Sequence, residues 1–140
     1  MKVNKIIFGG VAGAVTFFLL GWIIYGLLLK DYMAANFNQC AMLPMQDFIW
    51  WAMIVSNLAI GFLVALVFSW SNTTGMAAGA KIGGIMGLLL STSYDFSSYA
   101  MSSMISNFTA VIFDIVIYTV ILAIGGVVVA WVMGMGKKEA

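Results

Sequence analysis

The sequence predicts an all-α integral membrane protein, a bundle of four transmembrane helices. Three observations carry this: an extreme apolar composition, four uncharged or nearly uncharged runs of spanning length, and short connections between them. Of 140 residues, 64% are hydrophobic and only 8% are charged. A soluble domain carries about a quarter charged residues, and a chain of this size has too little interior to hide so much apolar surface. In a bilayer the same surface is solvated by lipid.

A hydrocarbon core of about 30 Å takes about 20 residues of helix. Residues 6–29 have no charge and end at Lys30-Asp31. Residues 48–70 form the second run. The third, 75–99, holds Lys81 near its start and Asp95 near its end. The fourth, 108–133, is interrupted only by Asp114. Lipid requires every backbone polar group to be satisfied within the span, so four helices are expected. Lys2 and Lys5 precede span one as they would precede a signal peptide, but its apolar stretch exceeds a signal core, so it is read as retained. The longest connection, 31–47, contains the only proline, Pro44. No linker divides the chain, so residues 1–140 are one domain.

Lysines near membrane ends mark the cytoplasmic side. Lys2, Lys5, Lys81, Lys137 and Lys138 fall on one side of a four-span path and Lys30 alone on the other. The expected topology is N-in/C-in. Trp50 and Trp51 then mark the outer interface, Trp70 and Trp131 the inner one, and Trp22 and Tyr25 read as interfacial anchors. Leu58-Ala59-Ile60-Gly61 recurs as Leu122-Ala123-Ile124-Gly125. The match is compatible with two tandem helical hairpins, a parallel repeat.

Composition also excludes classes of function. Net charge is +1, which gives no electrostatic support for nucleic-acid binding. The chain has no His, which removes axial-His haem, His-ligated metal sites and Ser-His-Asp catalysis. All six basic residues are Lys, and the single Cys40 cannot form an internal disulfide. No catalytic residue, metal site or cofactor is assigned, and the chain is read as non-enzymatic.

Gly75, Gly79, Gly83 and Gly87 fall four apart. On a helix that spacing forms one ridge, and small residues along it let a second helix approach closely, a glycine zipper. Gly9 and Gly13 in span one, and Gly126, Ala130 and Gly134 in span four, form similar ridges. Tight packing at the inner end would leave a crevice open outward near Ser91, Tyr94 and Asp95.

Ser91 and Asp95 continue the spacing of the first ridge, and Asp114 lies in the next span. Counting from a helix start near Asn107, Asp114 is about 10 Å deep. Asp95 reaches similar depth if its helix continues to about residue 104. A charge at mid-bilayer costs about 2.5–3.5 kcal/mol on insertion scales. Neutralising an unperturbed Asp at pH 7 costs about 4 kcal/mol. The two are comparable, so a close pair of acids is suited to sharing a proton or binding a cation. Tyr94, Ser91 and Tyr118 are candidate hydrogen-bond partners, and Asn57 is a third polar candidate in span two.

The segment Tyr94-Asp95-Phe96-Ser97-Ser98-Tyr99-Ala100, followed by Asp114 in Ile112-Phe113-Asp114-Ile115, resembles an uncharacterised bacterial family of small predicted four-helix membrane proteins. Its members carry an aromatic-Asp-x-Thr-Asn-x-Ala segment and a second membrane aspartate. Ser97 and Ser98 stand where that pattern has Thr-Asn, and the Trp-Pro usual between the two motifs is absent. The resemblance implies a compact four-span bundle and brings no activity with it; together with the topology and the short loops it places the chain in a bacterial inner membrane.

Two functions are therefore expected. The first is binding or conduction of a proton, cation or small polar solute through the membrane carboxylates. The alternative is a non-catalytic assembly subunit whose glycine ridges pack on a homo-oligomer or on partner membrane helices.

Overall fold

The computed structural model describes residues 2–38, 40 and 42–135. They form five α-helices: α1 (Lys2–Gly21), α2 (Lys30–Asn36), α3 (Trp50–Trp70), α4 (Met76–Met101) and α5 (Phe108–Gly134). There is no strand among the described residues, only an isolated antiparallel bridge between Phe37 and Ile105. Four helices are long and apolar enough to cross a bilayer: α1 with its extension to Leu28, then α3, α4 and α5. The tryptophans that bound α3, Trp50 and Trp70, are separated by roughly 30 Å of helix, the thickness of the hydrocarbon core.

The first span departs from a uniform helix. Past Gly21 it continues as a π-helical segment, Trp22–Leu28, closed by an i→i−5 bond in which Leu29 N–H donates to the Ile24 carbonyl at 2.8 Å. It ends at Leu29, where the charged pair Lys30-Asp31 begins the short helix α2. The third span ends two residues past its expected end, because the polar run after Ser91 contains no helix breaker and α4 carries it to Met101.

The helices pair as α1 with α3 and α4 with α5, and α1 against α5 joins the pairs. In contrast, α3 and α4 barely touch. Phe17, Val64, Phe68, Leu122 and Val129 fill the junction of α1, α3 and α5. Around this core the small residues determine how close the axes come. A Cβ on Gly61 would strike the Gly10 carbonyl and Ala14 of α1, and one on Gly125 would overlap the Phe17 ring. At Gly9 a Cβ would lie 2.6 Å from Met133 Cγ, and at Gly13 it would lie 2.8 Å from Val129 Cγ2.

The seam between α4 and α5 is a ridge set against a ridge. The buried residues of α4 are Gly79, Gly83, Gly87, Ser91 and Asp95, every fourth position. A Cβ at Gly79 would come 2.5 Å from the Gly126 carbonyl oxygen and from Ala130 Cβ. At Gly83 it would meet the Leu122 carbonyl and come 3.1 Å from Gly126 Cα. At Gly87 it would lie 3.0 Å from the Tyr118 carbonyl oxygen. Moving toward the C-terminal end of α4 by one turn moves the contact on α5 back by one turn.

Two glycines of the expected ridges do not belong to them. Gly75 precedes α4 at φ 89°, and nothing lies within 4 Å of its Cβ direction. It serves the left-handed turn from α3, which disfavours any side chain. Gly134 also has open space around it, because α4 begins at Met76 and does not reach that far down α5. The expected inner-side lysines Lys137 and Lys138 lie outside the described residues.

Candidate functional site

The ridge of α4 leads to the site. The register that sets Gly83 against Leu122 and Gly87 against Tyr118 carries the next positions outward, Ser91 and Asp95, toward Asp114. Asp114, Tyr118, Leu122, Gly126 and Ala130 are themselves four apart on α5. Asp95 and Asp114 line the same cavity from neighbouring helices, close enough to interact electrostatically. Asp95 is six residues before the end of α4 and Asp114 six residues after the start of α5. At 1.5 Å per residue both are about 9 Å inside the helix ends.

Asp95 is 2% exposed. Its Oδ2 is a buried oxygen without a hydrogen-bond partner among the described residues. A buried acceptor left in that state costs about 1–3 kcal/mol, and more when charged. Asp114 is half-buried, and Tyr25 lines the same cavity. No lysine borders either acid, so the pair has no internal counter-ion among the described residues.

The acids open into a cavity of about 690 Å³ in the half of the bundle that holds the C-terminal end of α4, the expected outer half. From α4 it is lined by Leu90, Ser91, Tyr94, Asp95 and Ser98, and from α5 by Asp114 and Tyr118. Ser56 and Ile60 of α3 form the facing wall, and Tyr25 projects from the π-helical segment. The cavity thus fills the space left because α3 and α4 do not pack together.

Its outer end is covered by two loops joined through backbone pairing. Asn38 N–H donates to the Met104 carbonyl (2.8 Å), and Ser106 N–H donates to the Asn36 carbonyl (2.9 Å). Asn107 caps α5 by accepting from Ala110 N–H (2.9 Å), and its Nδ2 donates to Asn36 Oδ1 (2.8 Å). Phe37 packs against Ile105, Ala110, Val111 and Ile115 beneath this joint, and the Tyr32 ring packs on Phe113 with centroids 4.4 Å apart. Met33, Phe37, Met42, Met104 and Ile105 of this cover face the cavity.

The expected site residues divide as follows. Asp95, Asp114, Ser91, Tyr94 and Tyr118 line one cavity. Ser91 is held by its own helix, with Oγ donating to the Gly87 carbonyl at 2.7 Å, and Tyr94 is largely exposed at the rim. Asn57 is not among the lining residues, because its side-chain amide donates to the Met53 carbonyl (2.8 Å) and its neighbour Ser56 takes the facing position. Tyr25, expected as an interfacial anchor, is instead part of the site. Its signal in the sequence was a tyrosine inside a run that otherwise carried no hydroxyl past Thr16. Among the described residues no group of three His, Cys, Asp or Glu could hold a metal ion.

No protein-family model, curated protein or solved structure matches the chain.

Proposed function

We propose that this chain is a multi-pass protein of a bacterial inner membrane, with both termini cytoplasmic, and that Asp95 and Asp114 together bind a proton, cation or small polar solute for passage across it. The observation that carries this reading is the buried Oδ2 of Asp95, without a partner among the described residues, beside a second carboxyl at the wall of a cavity. An acid inside a membrane span is expensive and is ordinarily retained for a pathway, a relay or a ligand. Two facing acids without a lysine form a centre that accepts positive charge. The lysine distribution supports the orientation.

The alternative, an assembly subunit that docks partner helices through its glycine ridges, has less support. Gly79, Gly83 and Gly87 are covered by α5 of the same chain, and Gly9 and Gly13 by α5 and α3. Those ridges offer no free face to a partner.

The test is flux in reconstituted vesicles. Asp114→Asn keeps the size and a hydrogen-bonding side chain, so the protein should elute from detergent like wild type. Its proton- or cation-driven flux should fall to the level of empty vesicles. Wild-type flux in that variant would overturn the reading.

A further inference from the structure

The geometry points to a lipophilic ammonium ion, a protonated amine on an apolar body, as the ligand of this cavity. The inference rests on the carboxylate reading above and names the chemical class that the site would take. Three features of the cavity select it.

The first is size. A hard inorganic cation is held by six or more oxygens gathered close around it. The cavity is about 690 Å³, within the range of sites for small organic molecules. Among the described residues, the carboxylates facing it are Asp95 and Asp114 alone, and no three-residue metal-ligating cluster exists.

The second is the division of its wall. The acids lie on the α4–α5 side. Ile60 stands beside Ser56 on the facing α3 wall, and Met42, Met104 and Ile105 of the loop cover close the end. A ligand that satisfies both sides has one positive centre and an apolar remainder. Methionine side chains adapt to varied apolar shapes. The Tyr25 and Tyr118 rings line the same cavity as the acids, and tyrosine faces attract organic cations.

The third is the unpartnered oxygen. Asp95 Oδ2 receives no hydrogen bond from a described residue. A quaternary ammonium or phosphonium ion supplies charge but no donor. A protonated amine supplies both, and its N–H fills the vacant acceptor. Since α3 and α4 barely touch, an amphipathic molecule dissolved in the bilayer can approach between them.

The experiment uses the full chain in lipid nanodiscs and three probes: N,N-dimethyl-2-phenylethylamine as its ammonium form, the quaternary trimethyl(2-phenylethyl)ammonium, and a neutral hydrocarbon of the same shape. Binding is measured by calorimetry against empty nanodiscs. The expected order is the amine about tenfold tighter than the quaternary ion, with no saturable binding of the hydrocarbon. Asp95→Asn should abolish the preference for the amine. Ser56→Trp, which adds bulk to the α3 wall of the cavity and leaves both acids in place, should weaken amine binding while the protein still elutes as wild type.

Equal binding of amine and quaternary ion, equal binding of the hydrocarbon, or no binding of the amine would each overturn the inference. In those cases persistent Asp114-dependent flux of protons or inorganic cations leaves the carboxylate reading standing, and its absence overturns that as well.

Discussion

The inner and outer halves of the α4–α5 seam have the same spacing and opposite consequences. In the inner half the ridge positions are Gly79, Gly83 and Gly87, and backbone lies against backbone. In the outer half the same ridge continues as Ser91 and Asp95, which stay buried toward α5 and also border the cavity left between α3 and α4. Both halves bury every fourth residue of α4. The difference is the side chain: hydrogen atoms let the axes close, whereas hydroxyl and carboxyl groups hold polar atoms where helix α5 brings Asp114. One periodic ridge therefore serves as a packing surface below and positions a site above.

The comparison can be broken most severely from the inner half. Gly83→Leu would drive a side chain into the Leu122 carbonyl and Gly126 Cα, which are backbone and cannot rotate away. We expect a loss at or above the ~3 kcal/mol upper end of the usual overpacking range, read as loss of the folded species in thermal denaturation followed by detergent size distribution. Wild-type stability would show that the seam is not closed at this level.

A smaller effect should come from the outer cover. Asn107→Ala removes the cap of α5 and the bond to Asn36 that ties the two loops together. The loss of a helix cap typically destabilises by about 1 kcal/mol. Amide exchange at 102–107 should rise while the inner seam stays protected; uniform exchange throughout would show that the cover is not a separate unit.

The smallest effect is expected at Gly134→Ala. Open space surrounds that position, so stability should stay within about 0.5 kcal/mol of wild type in chemical denaturation. A large loss would place Gly134 in a packed seam and extend the tight half downward.

The long helices were legible because each is a long apolar run, and the ends of α3 and α5 fell within a few residues of the tryptophan, glycine and asparagine signals. The glycine ridge was legible too, and extending it by two more turns reaches Asp95. Its counterpart on α5 is only partly marked by small residues. Gly126 and Ala130 signalled it, but the same spacing runs back through Leu122 and Tyr118 to Asp114.

What composition hid is which face of each helix points inward. A span that is apolar on all sides has almost no amphipathic signal, so Asn57 and its neighbour Ser56 could not be told apart. Tyr25 was obscured for a second reason: the π-helical turns from Trp22 to Leu28 change the register by which its direction would be counted. The pairing of the loops around Phe37 and Ile105 joins segments far apart in sequence, and no local pattern announces it.

Asp95 and Asp114 should act as one centre. Difference infrared spectroscopy of the carboxyl stretch, on wild type, Asp95→Asn and Asp114→Asn in lipid, tests this directly. If the acids form one centre, adding the ammonium probe or changing pH perturbs a carboxyl band in wild type, and either substitution changes the response of the acid that remains. Two independent responses, each removed by its own substitution with the other unaltered, would contradict it.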